Sequence, residues 1–399
     1  MKKAFVVGTF DTKGEELGYV AERIREAGAV PLTVDVSSKP TSTKVDVSNS
    51  EVAKHHPSEP DFLGNTDDRG KAVTLMSEAL GEFLVSRDDL GGVIGLGGSG
   101  NTALVTAAMR RLDVGVPKIM VSTVASGDVA PYVGPNDIAM MYSVTDVAGI
   151  NRISRHVLGN AAHAIAGMVA HSVPEVAEAK PTLGMTMFGV TTPAVTAVRT
   201  ALEDEFDVLV FHATGTGGQS MEKLIDSGMI SHVIDLTTTE ICDLHMGGVM
   251  SAGEDRMGAI IRRGIPYVGS AGALDMVNFA AKPTVPEKYK NRNLYVHNAN
   301  VTLMRTTPEE NEAMGAWIGT KLNQMTGPVR FLLPEKGVSL IDAEGQPFHD
   351  PEADEALFRA IEQTTQQNDT RKVERLPYNV NDDEFAEALV AAFREVHGL

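Results

Sequence analysis

Short apolar runs alternate with helix-spaced stretches along the whole of this 399-residue chain. The run "KKAFVVGT" (2–9) is followed by "GEELGYVAERIREAG" (14–28), where Leu17, Val20, Ala21 and Ile24 recur at helical spacing. "AVPLTVDV" reads as the next strand, "GKAVTLMSEALGEFLVSR" (70–87) as a helix, and "LGGVIGLG" as a strand again, with "VPKIMVST" and "IAMMYSV" after it. Strands that alternate with helices pair in parallel, because each crossover carries the chain back across a face of the sheet. The expected fold is therefore α/β with doubly wound, mainly parallel sheets. Residues 37–66 break the rhythm: they are polar, hold three prolines and the pair His55–His56, and read as a long excursion, a lid or a mobile loop.

A second series begins near residue 181. "PTLGMTMFGVTT", "FDVLVFHATGTGG", "SHVIDLTTTE", "GIPYVGSAGA", "NLYVHN", "PVRFLLP" and "ERLPYNV" read as strands. "PAVTAVRTALED", "QSMEKLIDSG", "TPEENEAMGAWIGTKLNQM" and "DDEFAEALVAAFREVHGL" read as helices. The two series rhyme. "GTFDTKG" answers "GVTTPAV", and "GLGGSGNT" answers "HATGTGGQS". Two similar domains are expected, 1–178 and 179–399, joined by a helical stretch over 150–178, with a ligand cleft between them.

The bulk numbers limit the functions open to the chain. Lys plus Arg is 35 against 53 Asp plus Glu, a net charge of −18. Such a surface repels nucleic acid and anionic lipid at long range. No run approaches the roughly 20 apolar residues of a membrane span, and the first residues lack the apolar core of a signal peptide. The single cysteine, Cys242, excludes an internal disulfide and fits a cytoplasmic location.

"GLGGSGNT" (95–102) spells G-x-G-x-x-G after a strand. Glycines there remove the Cβ atoms that would block a phosphate, Gly98 being expected at positive φ, and a helix beginning at Asn101–Thr102 would aim N–H groups at the anion. Gly97, Gly98, Ser99, Gly100, Asn101 and Thr102 form the candidate cradle. Asp11, Thr12 and Lys13, at the junction of the first strand and helix, join it: Lys13 can neutralise a phosphate and Asp11 can reach Mg2+ through water. As a dinucleotide fingerprint the match is weak, since no acid that could bind ribose follows the next strand, and there is no P-loop. A second anion or substrate site is expected from Thr214, Gly215, Thr216, Gly217 and Gly218, with Arg256 near the cleft and Arg305 before a helix start at Thr306–Pro308. Each of these also reads as a turn, a cap or a solvated charge. Glu240, Cys242, Asp243 and His245 cluster without zinc spacing, and Cys242 reads as a buried structural residue. No catalytic residue is evident.

"VVGTFDTKGEEL", "GLGGSGNT", "STVASGDVAPYVG", "DLTTTE", "GGVMSAGEDR" and "LMRTTPEE", in order from residue 5 to about 310, resemble an uncharacterised bacterial family. It is the Tm-1-like ATP-binding family, which includes the nucleotide-binding N-terminal domain of a tomato mosaic virus resistance protein. The resemblance implies two Rossmann-like domains, ATP bound with magnesium on "GTFDTK" and "GLGGSGNT", a homodimer, and a TIM-barrel module as a metabolic partner. The expected function is an ATP-binding enzyme acting on a small carboxylate or sugar acid. The alternative is a non-catalytic nucleotide sensor or scaffold that regulates a partner enzyme.

Overall fold

The apolar run at 3–8 forms strand β1 (Lys3–Gly8), whose last five residues are buried, as suits a strand covered on both faces. The computed structural model describes residues 2–39, 41–65, 68–171, 173–174 and 180–399. The chain divides into two compact units, Met1–Glu175 and Val176–Leu399. The boundary expected between 178 and 179 lies outside the described residues.

In the first unit β1 is followed by α1 (Phe10–Glu26), β2 (Pro31–Asp35), α2 (Asn49–Ala53), α3 (Arg69–Val85), β3 (Leu90–Gly97) and α4 (Ser99–Met109). Then come β4 (Lys118–Ser122), α5 (Ala130–Val133), β5 (Ala139–Tyr142) and α6 (Arg152–Ala170). The five strands form one parallel sheet in the order β2-β1-β3-β4-β5. Alternate residues of the central strands serve opposite faces. Phe5, Val7 and Val93 pack with Leu80 and Leu84 of α3 and Leu104 of α4. Ala4, Val6, Ile94 and Leu96 pack with Leu17 and Ile24 of α1 and Leu158 and Ile165 of α6.

The 37–66 excursion is not a free lid. Val47 bridges Val34 of β2, Ser48 and Glu51 close a capping box on α2, and Val47, Val52 and Phe62 are buried in the α3–α4 core. Polar composition hid three apolar anchors.

The second unit contains β6 (Thr182–Met187), α7 (Thr192–Leu202), β7 (Asp207–His212), α8 (Thr216–Asp226), β8 (His232–Thr237), α9 (Glu240–Met246) and α10 (Gly258–Arg263). It continues with β9 (Tyr267–Gly272), β10 (Met276–Phe279), β11 (Leu294–Asn298), β12 (Val301–Arg305), α11 (Pro308–Gln324), β13 (Val329–Pro334), α12 (Pro351–Thr364), β14 (Arg371–Leu376) and α13 (Asp383–His397). Its main sheet, β14-β13-β9-β8-β6-β7, is parallel throughout. α7 and α13 cover one face, and α8, α11 and α12 the other. "NLYVHN" does not join that sheet. It is the edge of a small antiparallel one, β10-β12-β11. The last strand lies over 371–376, earlier than the 374–380 expected from the sequence.

Read from its edge inward, each sheet begins with its own second strand, then its first, third, fourth and fifth. The two units are thus wound alike, in the flavodoxin-type order whose ligand crevice opens between the first and third strands. The internal repeat is real, but one of its equations changes. "GLGGSGNT" follows the third strand of its unit, whereas "HATGTGGQS" follows the second strand, at the sheet edge. The true counterpart of the first loop is "LTTTE" after β8.

Candidate functional site

β1 and β3 are neighbours, and their helices depart to opposite faces, so a crevice opens where both strands end. A cavity of about 340 Å³ occupies it. Asp11, Thr12 and Lys13 line one side and Gly98, Ser99, Gly100 and Asn101 the other, so the structure brings the two sequence-predicted loops together. Thr9 and Ser38 add hydroxyls, and Val36, Ala72, Val73, Met76 and Leu104 form an apolar wall. Sequence reasoning missed that wall. Residues 72, 73 and 76 are apolar positions of a predicted helix and carry no mark that separates lining from core.

The β3–α4 turn is built by Gly97, the residue with positive φ (+149°); a Cβ there would stand 3.0 Å from Asn101 Cβ. Gly98 is the N-cap at φ −83°, so the expectation of positive φ at Gly98 was misplaced by one residue. α4 starts at Ser99, two residues before the expected Asn101. Thr102 Oγ1 donates to or accepts from Ser122 Oγ at 2.7 Å and is fully buried, so Thr102 braces the turn instead of facing a ligand. Asn101 Nδ2 ties back to the Leu96 carbonyl at 2.6 Å, and its Oδ1 is buried without a partner. The Ser99, Gly100 and Asn101 N–H groups have no acceptor among the described residues; the first hydrogen bond of the helix runs from Thr102 N to Gly98 O.

The other strand–helix junctions differ. At α1, Phe10 N donates to Asp35 Oδ1 at 3.1 Å and Asp11 N to Ser37 Oγ at 3.1 Å, while Thr12 N and Lys13 N bond the Thr9 carbonyl. Lys13 breaks the helical geometry (φ −125°, ψ 21°), and its ammonium donates to the Val147 carbonyl. Asp11 and Thr12 are exposed.

In the second unit the proposed anion loop already holds an anion. Glu240 Oε1 accepts from Gly215 N at 2.7 Å and Gly218 N at 3.0 Å. A Cβ on Gly218 would fall 2.0 Å from Glu240 Oε2. Thr214 Oγ1 turns to the His212 carbonyl, Thr216 is exposed on the first turn of α8, and Gly217 packs on the backbone of His212. Arg256, expected near a cleft, is buried among Asp235 (2.6 Å), Glu240 (2.9 Å) and Glu222 (3.2 Å). Arg305, expected as an exposed clamp, is buried against Asp354 (2.7 Å), Asp342 (3.0 Å) and the Phe348 carbonyl. A guanidinium whose fork is filled by internal carboxylates has no face left for an external one, so neither arginine is a ligand clamp. Three carboxylates pair with Arg256, and two pair with Arg305 with the Asp275 charge close by, so negative charge is in excess at both. Burial pushes Glu222 up to about 7, and burial with the neighbouring Asp275 and Asp354 charges pushes Asp342 up to about 10.

The crevice between β6 and β8 is likewise filled from within. Thr186 Oγ1 donates to Asp235, the Thr191 and Thr237 hydroxyls meet at 2.8 Å, and all four residues are fully buried. Cys242 is buried and free, and burial pushes its thiol up, which makes it inert. Among the described residues no helix is long and apolar enough to cross a membrane.

Residues 2–174 match the N-terminal domain, and residues 180–397 the C-terminal domain, of an uncharacterised protein family, UPF0261. The chain belongs to this family. A UPF0261 protein of Rhizobium meliloti (strain 1021) is 58% identical over 396 residues, 99% of each chain. A UPF0261 protein of Clostridium tetani is 48% identical over 97% of each chain. The ToMV resistance protein Tm-1(GCR237) of Solanum lycopersicum is 43% identical over 99% of this chain and 56% of its own length. The relation to the tomato protein expected from the six motif blocks therefore holds.

Proposed function

We propose that the first unit binds ATP together with Mg2+ in the crevice between β1 and β3. One observation carries the reading. Among the described residues, of the helices that follow β1, β3, β6 and β7, α4 is the one whose first three N–H groups, Ser99, Gly100 and Asn101, meet no side-chain or main-chain acceptor. In each of the others a side chain already sits on the first turn: Asp35 on Phe10 N in α1, Asn381 on Ala194 N in α7 and Glu240 on Gly218 N in α8. A helix N-terminus with free donors favours an anion through both hydrogen bonds and dipole. Gly98 and Gly100 leave the approach open: a Cβ on Gly98 would meet only Thr123 Oγ1, at 3.8 Å, and one on Gly100 nothing within 4 Å. Lys13 supplies a cation on the facing loop, and Asp11 is an exposed carboxylate within reach of a hydrated Mg2+. The wall of Val36, Ala72, Val73, Met76 and Leu104 suits the base.

The reading is one of binding first. The second anion site that a two-substrate enzyme needs has its donors engaged by Glu240, Asp235, Asp342 and Asp354. This favours a nucleotide-responsive binding protein over an enzyme acting on a carboxylate or sugar acid. Calorimetry with MgATP and with NAD tests the ligand: binding of MgATP and none of NAD is expected, and the reverse overturns the assignment. Incubation with ATP and pooled carboxylic and sugar acids tests catalysis, since release of ADP, AMP or pyrophosphate would restore the enzyme reading.

A further inference from the structure

A dinucleotide fold places its pyrophosphate on the helix after the first strand and its ribose on an acid at the tip of the second strand. This chain has that acid. Asp35 ends β2, directly beside the end of β1, where Gly8 pairs with it. It does not face outward. Asp35 is 1% exposed, and its Oδ1 accepts from Phe10 N at 3.1 Å, from Ser37 N at 3.0 Å and from the Ser37 hydroxyl. Ser37 Oγ in turn accepts from Asp11 N. With Thr12 N and Lys13 N turned to Thr9, no donor at the start of α1 is left. Asp35 Oδ2 is buried without a partner, an arrangement that costs stability and that packing alone does not call for.

We propose that Asp35 is a specificity-determining residue: a built-in anion that occupies the pyrophosphate position on α1 and, in the same act, removes the ribose acid, so that the unit refuses dinucleotides and leaves α4 as its phosphate site. The position adjoins the cavity, because Asp11, Val36 and Ser38, each next in sequence to a residue of the Asp35 network, line it. The proposal rests on the nucleotide reading only for the α4 half. Removing the Asp35 carboxylate frees three donors, Phe10 N, Ser37 N and Ser37 Oγ, at the positive end of a 17-residue helix.

The test counts binding sites for inorganic pyrophosphate by calorimetry in four proteins: wild type, Gly98→Val, Asp35→Ala and the double variant. Expected are one site, none, two and one. Asp35→Ser is run beside Asp35→Ala, so that a misfolded alanine variant does not decide the matter. If the Asp35 variants fold and gain no site, the proposal is overturned. If wild type binds no pyrophosphate but the Asp35 variants gain one site, the α4 reading fails while Asp35 keeps its assigned role.

Discussion

The ammonium of Lys13 donates to the main-chain carbonyl of Val147, 134 residues away in sequence. A neutral carbonyl is a weaker partner than a phosphate, and the ammonium keeps donors for a second acceptor. Lys13→Ala should therefore leave the fold intact and cost MgATP about 1.5–3 kcal/mol, roughly a tenfold to hundredfold loss of affinity. Calorimetry reads the loss. An affinity equal to wild type would show that Lys13 serves only the segment between β5 and α6.

Gly98 and Gly97 should separate binding from folding. Gly98 has an ordinary φ and open space at its Cβ position, so Gly98→Val should keep the wild-type melting temperature and lose nucleotide binding. Gly97→Val should instead destabilise by roughly 1–3 kcal/mol, because φ +149° strains any side chain. Thermal melts paired with calorimetry check both. A stable Gly98→Val that still binds ATP would make the loop a structural turn.

Arg305→Ala should act on stability and not on ligand. It leaves Asp342 and Asp354 buried without their shared cation. The expected cost is about 3–5 kcal/mol, seen as a lower urea midpoint with MgATP affinity unchanged in the folded protein. A weakened affinity at wild-type stability would return Arg305 to the ligand.

The imidazoles of His232 and His397 meet tilted by 42°, 4.4 Å between centroids, and burial with the His232 charge pushes His397 down to about 4. Between about 4 and 6.5 the native imidazole is neutral while the unfolded one is protonated, so the unfolded chain holds the extra proton. Stability from this group is present above about pH 6.5 and lost as the pH falls to about 4. His397→Phe keeps an aromatic ring against His232 and Phe393 and should flatten that part of the pH–stability curve. An unchanged curve would locate the acid sensitivity elsewhere.

The sheets were legible because β1, β3, β6 and β8 are apolar runs set between helix-spaced stretches, a pattern that depends on local sequence alone. The order of the strands was not, and that is why the edge loop at 212–220 stood in for the loop after β8. That Lys13 and Gly98–Asn101 would share one cavity was legible because both lie where a strand of the first unit ends and its helix begins. Arg256, Arg305 and Glu240 were not. A charged residue reads as available until its partners are known, and Asp235, Asp342 and Asp354 lie 21, 37 and 49 residues from the arginines they neutralise.

The two like-wound sheets should leave opposite signatures in a library of random substitutions sorted by expression level and by ligand capture. Around Asp11–Lys13 and Ser99–Asn101, most losses should be of capture alone, since these residues line the cavity. Around Thr186, Thr191 and Thr237–Glu240, capture and abundance should fall together, because every hydroxyl and carboxylate there already serves a neighbour. One half of the chain would then vary under the demands of its ligand, and the other under the demands of its own interior.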